Sequence, residues 1–182
     1  SPIIQIDPVS SGDIVSVGPF GFDVSINAPD QDEIIFHLHI QDDQQSWEYP
    51  ITLNINAPAY QLASSFIFDG DNGSLDPGET ATLQLVLENS GSAALNYPTF
   101  TAYENDEYLT LGEVASDNAY YWEPGNSVVL TIEISVSNDA PLGYSSIAWL
   151  NIGSLNTDYE FLFPLPLTVG MLMENFETAN FS

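Results

Sequence analysis

The chain has 182 residues, 44% hydrophobic and 12% aromatic; it carries 26 acidic residues, no lysine, arginine or cysteine, and a formal net charge of −26. It is long enough for one large or two small domains with a real core, and it excludes disulfides, thiolate metal sites and thiol catalysis. With no lysine or arginine to neutralise phosphate, nucleic acid and anionic lipid are excluded as partners, and no apolar run reaches the roughly 18 residues of a membrane helix.

An average domain of this size would carry on the order of 20 cations. A segment without them is what a trypsin-like protease leaves intact, and it is also what selection for protease resistance or high salt would produce. Both readings stay open. Either way, self-repulsion makes stability depend on salt or divalent cations.

In chain order, residues 1–58 read as strands and turns. Ile3–Ile6, Ile14–Val17, Phe20–Ile26, Ile34–Gln41 and Trp47–Asn56 are β-branched or aromatic and mostly alternate, with Gly, Pro and Asp clusters between them. From Ala59 onward, strands are expected at about 60–68, 80–89, 95–103, 107–112, 118–122, 127–137, 143–152 and 157–168. Leu83, Leu85 and Leu87, and Val128 through Val136, alternate with polar residues or further strand formers and should face a core. Pro164 and Pro166 place the last strand at a sheet edge. No helical stripe appears. Eight short strands with regular turn signals argue for an immunoglobulin-like β-sandwich over 59–170.

The second half repeats the first. Asn27-Ala28-Pro29 matches Asp139-Ala140-Pro141, an offset of 112. At that offset Phe22 and Val24 meet Ile134 and Val136, Leu38 and Ile40 meet Leu150 and Ile152, and Trp47-Glu48-Tyr49 meets Tyr159-Glu160-Phe161. A period above 100 residues means tandem domains rather than a solenoid. The expectation is all-β: tandem sandwiches, the first incomplete, with 1–58 as the C-terminal half of one, 59–170 as a complete one and 171–182 as the start of a following domain or linker. Half a sandwich exposes a sheet face and an edge, so its missing strands would come from the same longer polypeptide or from a strand-donating chain.

The segments LDPGETATLQLVLENSGSA (75–93), NDAPLGY (138–144) and PLTVGMLMENFETANFS (166–182) resemble the Ig-like domains of large secreted Bacteroidetes surface proteins, including the region after the catalytic domain of gingipain-like cysteine peptidases. The resemblance covers most of 59–182. It implies type IX secretion, an extracellular or outer cell-surface location, and a start of a cleaved-adhesin-type jelly roll near Met173–Ser182. The peptidase residues of such a parent would lie outside this segment, so no enzyme activity is implied for it.

Four places carry candidate chemistry. The loop DGDNGSLDPGE (69–79) is one residue shorter than the family's calcium-like pattern; Asp69, Asp71, Ser74, Asp76 and Glu79 could supply oxygens to Ca²⁺. The competing reading is a turn whose Asp and Asn side chains cap backbone N–H groups. His37 and His39 share a strand face at a spacing usable for Zn²⁺, or are simply exposed. Tyr120, Tyr121 and Trp122 could stack on a sugar, or pack as core and rim. Acidic pairs such as Asp106/Glu107 could serve as acid and base, but such pairs are expected by chance at this composition. The role that follows is a non-catalytic structural spacer. Its rivals are an adhesin-type binding module for glycan or protein and a strand-exchanging subunit of an extracellular fibre.

Overall fold

The computed structural model describes residues 3–117 and 120–170, so the segment expected to open a following domain, 171–182, lies outside the described residues. All regular structure among them is β. The strands are β1 (Glu33–Gln41), β2 (Ser46–Asn54), β3 (Tyr60–Phe68), β4 (Thr80–Asn89), β5 (Leu95–Asn96), β6 (Pro98–Tyr103), β7 (Leu109–Ser116), β8 (Tyr121–Trp122), β9 (Ser127–Val136), β10 (Tyr144–Ser154) and β11 (Glu160–Val169). Every strand pairing is antiparallel.

Residues 60–169 build two principal sheets over one core, in the orders β3-β4-β9-β7 and β11-β10-β6. The inward leucines of β4 sit directly opposite the inward residues of β9, Leu83 with Ile132, Leu85 with Leu130 and Leu87 with Val128. From the other sheet, Ala148, Leu150 and Ile152 of β10 and Leu165, Leu167 and Val169 of β11 complete the same core. Full burial of each such side chain stabilises by about 1.5–3 kcal/mol, so this face is what commits 60–169 to its fold. The proline-bearing strand β11 lies at the edge of its sheet, because a residue without an N–H cannot serve a ladder on both sides.

Two local differences from the sequence expectation have clear causes. The strand expected over 95–103 breaks in two at Tyr97, which adopts a left-handed φ of 49° ahead of Pro98. That kink lets Leu95–Asn96 pair with Tyr121–Trp122 while Pro98–Tyr103 moves to the edge of β10. The second difference is larger. Of the strands expected before residue 58, only the hairpin β1–β2 forms, and residues 3–26 are exposed and without ladder bonds. In the later unit β9 is held by nine pairs to β4 on one side and by β7 on the other. Phe22 and Val24, which the sequence repeat aligns with Ile134 and Val136 of β9, have no described strand paired beside them.

The register also refines the repeat. Leu38 lies opposite Tyr49 in one hairpin, whereas Leu150 lies opposite Phe163 in the other. Beyond the hairpin loop the correspondence therefore runs at an offset of 163 − 49 = 114 rather than 112, which brings Pro50 onto Pro164, Ile51 onto Leu165 and Leu53 onto Leu167. A slip of two residues leaves every side chain on its original face.

Candidate functional site

One densely bonded region outside the ladders is the joint between the hairpin segment and the sandwich. Asp30 Oδ1 accepts hydrogen bonds from the backbone N–H of Ala57 (2.9 Å) and from the Ser92 hydroxyl. Gln31 Nε2 donates to the same Ser92 oxygen (3.0 Å). Ser92 and Ala93 in turn donate their N–H groups to Ala57 O, and Ser90 donates to Ala59 O. The bond to Ala57, followed by that to Ser92, holds the Asp30 carboxyl below the ordinary carboxylate range. Gly91 is required by contact rather than by φ: a Cβ there would lie 2.3 Å from Ala59 N and 2.4 Å from Ala57 O.

Asn89, the fully buried polar residue at the end of β4, closes this region from inside. Its Nδ2 donates to Ala93 O and Trp122 O, both at 2.9 Å, while Oδ1 accepts from Gly91 N (3.1 Å) and Ala59 N (3.3 Å). All four of its hydrogen-bonding capacities are met, which is what makes a buried amide tolerable.

The 69–79 loop is closed in the same manner. Asp69 accepts from Asp71 N through Oδ1 (2.8 Å) and from the N–H groups of Asn72, Gly73 and Ser74 through Oδ2. Those bonds, that from Asp71 foremost, outweigh burial and lower its pKa. Asp76 Oδ2 accepts from Asn72 Nδ2 (2.7 Å), and Glu79 Oε2 accepts from Asp76 N (3.0 Å). Asp71 and Ser74 enter these bonds through their N–H groups. Leu75, 1% exposed, plugs the loop into the core and bridges to Val169. Gly78, at φ +81°, packs so closely on Asn138 that a Cβ would collide with its Oδ1. The loop thus docks onto the NDAPLGY turn through the two segments' own small and polar residues.

The aromatic group 120–122 divides. Trp122 takes the core position of the two readings: it is 2% exposed, stacks on Tyr60 at 4.8 Å and donates its indole N–H to Asn126 O (2.8 Å). Alternation along β8 sends Tyr121 outward, and Tyr120 and Tyr121 remain 73% and 56% exposed. Both meet the ring of Tyr97, at 6.1 and 5.9 Å. Tyr97 escapes sequence reasoning because only the left-handed kink before Pro98 turns it toward them. A shallow pocket of about 230 Å³ beside them is lined by Pro98, Asp117, Tyr121, Asn126 and Ser127 among others.

His37 and His39 lie on the outer face of the hairpin, each with Nδ1 toward the Glu48 carboxylate, His37 within hydrogen-bonding distance and His39 at 3.7 Å. Asp106 has a structural duty. It accepts from Tyr108 N (2.8 Å), Leu109 N (3.0 Å) and the Tyr144 hydroxyl (2.8 Å), so it ties the start of β7 to the opposite sheet. Burial alone would raise its pKa, but these bonds and one from Ser146 bring it below the ordinary value. Comparison with known proteins found no matching family model, no similar curated protein and no similar solved structure.

Proposed function

We propose that this segment is a non-catalytic spacer: an immunoglobulin-like module of a secreted, cell-surface multidomain protein that sets the distance and angle between its neighbours. The observation that carries the reading is the joint. Asp30, Ala57, Asn89, Gly91 and Ser92 converge on the connection between the hairpin and the sandwich, and a short connection held by convergent bonds transmits orientation. The motif residues that led to the resemblance support it too. Leu75, Gly78, Asn89 and Gly91 serve packing and closure, which is the work of a scaffold rather than of a reaction centre. Nuclear relaxation of the intact chain tests this. One correlation time shared by residues 30–58 and 60–169 is expected, and independent tumbling of the hairpin would sink the proposal.

A second reading rests on the exposed rings of Tyr97, Tyr120 and Tyr121 beside a polar pocket. Clustered exposed tyrosines with neighbouring amide and carboxylate groups suit a pyranose face, the chemistry of an adhesin. Chemical-shift perturbation by soluble oligosaccharides, lost in Tyr120→Ala, would support it; no shift in those three residues would remove it.

A further inference from the structure

The chain holds two histidines, and the fold aims both at one carboxylate. In the β1–β2 register His39 lies directly opposite Glu48, and alternation puts His37 on the same face, one step diagonal to it. Spacing along β1 pairs the two imidazoles; the register supplies a third donor from the other strand. Both rings turn Nδ1 to Glu48, His37 toward Oε1 and His39 toward Oε2 at 3.7 Å. The rings themselves lie 6.4 Å apart with 26° between their planes. Pro50, opposite His37, brings no side-chain donor or acceptor of its own. All three side chains are at least half exposed. Among the described residues no backbone N–H holds the Glu48 carboxylate, in contrast to those of Asp69 and Asp106, so it is free to turn.

We propose that His37, His39 and Glu48 form a binding site for a divalent late first-row transition ion such as Zn²⁺ or Cu²⁺, with water in its remaining positions. Ligands about 2.0–2.2 Å from such an ion stand about 3.0–3.4 Å from one another. The His37–Glu48 contact is shorter than that and the His39–Glu48 contact longer, so a small turn of the Glu48 side chain evens the two. Among the described residues no three ligating groups are already set around one point, so binding replaces the His37–Glu48 hydrogen bond by bonds to the ion. An ionised carboxylate can only accept, which places a proton on His37 Nδ1. As the ion takes Nδ1, that proton moves through water to Nε2. Imidazole nitrogen selects this class of ion over Ca²⁺ and Mg²⁺, and the net charge of −26 draws any dication to the surface. The result is a clamp across two strands. A two-stranded hairpin is marginal in water, and an ion that binds only its paired form stabilises it. This inference stands on the hairpin's register and is independent of the spacer reading.

The test is titration of the intact chain with Zn²⁺ and, separately, with Ca²⁺, followed by nitrogen NMR of the imidazole rings and by hydrogen exchange. One equivalent of Zn²⁺ should shift the Nδ1 resonances of both histidines and slow the amides of Glu33–Gln41, while those of β9 stay as they were. Ca²⁺ should do neither. His37→Ala, His39→Ala and Glu48→Gln should each weaken Zn²⁺ binding by at least about tenfold. Unaltered β9 exchange shows that the sandwich is intact in each variant, and cross-strand contacts between Leu38 and Tyr49 report the hairpin. Unchanged affinity in Glu48→Gln would overturn the three-donor site. An equal response to Ca²⁺ would do the same, because the dication would then be held by surface carboxylates at large. So would a doubling of mass by sedimentation on adding Zn²⁺, since the ion would then join two chains rather than two strands.

Discussion

Ser92 donates its hydroxyl proton to the carboxylate of Asp30, 62 residues earlier in the chain, and so fastens the hairpin segment to the sandwich. Neither residue belongs to a strand. The bond exists because Asp30 sits at the turn before β1 and Ser92 at the turn after β4, and both turns meet the backbone of Ala57. Asp30→Ala should therefore leave sandwich unfolding within about 0.5 kcal/mol of the parent while the hairpin gains independent motion. Paired urea titration and residual dipolar couplings measure the two effects separately. Equal loss of both would mean that the joint is part of the folding unit.

Asn89→Ala should behave differently. It leaves the N–H of Gly91 and the carbonyl of Trp122 without their partner, and each orphaned buried group costs about 1–3 kcal/mol. A loss of about 2–4 kcal/mol is expected by urea unfolding, with near-ultraviolet circular dichroism reporting the loosened Trp122.

Acid should weaken the molecule through a definable set of carboxylates. Asp30, Asp42, Asp69 and Asp106 all have pKa values lowered by hydrogen bonds in the folded state. A lowered folded pKa gives stability that is present above the unfolded value near 3.8 and lost as pH falls through the folded value. Relief of the net charge works in the opposite sense as carboxylates protonate. Thermal midpoints should thus hold or rise from neutrality into mildly acidic solution, then fall below about pH 3.8. In Asp69→Asn the final fall should be shallower.

The closure of the 69–79 loop onto Asp69 also bears on calcium. If those N–H bonds suffice, Asp69→Ala lowers the melting temperature equally in chelator and in millimolar calcium. A calcium-dependent rise in the parent that vanishes in Asp69→Ala would instead assign the loop a cation, because a ligand stabilises only the state that binds it.

Burial separates two residues that the repeat makes look alike. Leu150→Ala should cost about 2–5 kcal/mol, as expected for a side chain removed from a closed core. Leu38→Ala, its counterpart in the open hairpin, should cost the sandwich under about 0.5 kcal/mol. Denaturant midpoints followed at Trp122 make the comparison.

Alternation in β4, β9, β10 and β11 was enough to name the strands, the inward leucines and the edge position of the proline-bearing strand. A half-buried strand must repeat its chemistry every second residue, so the pattern survives in the sequence. The same local chemistry in residues 3–26 produced no ladder, because a strand needs a partner and alternation does not say whether one is present. Nor does sequence show that Trp122 turns inward while Tyr120 and Tyr121 stay out to meet Tyr97. That outcome depends on a left-handed residue before Pro98 and on two chain segments arriving side by side. Composition alone removed disulfides and ion pairs to lysine or arginine, since an absent side chain is absent in every conformation. Which carboxylates close turns, which fasten a joint and which merely face water was decided by tertiary structure, because the reach of a hydrogen bond is about 3 Å and only folding brings Asp30 that close to Ser92.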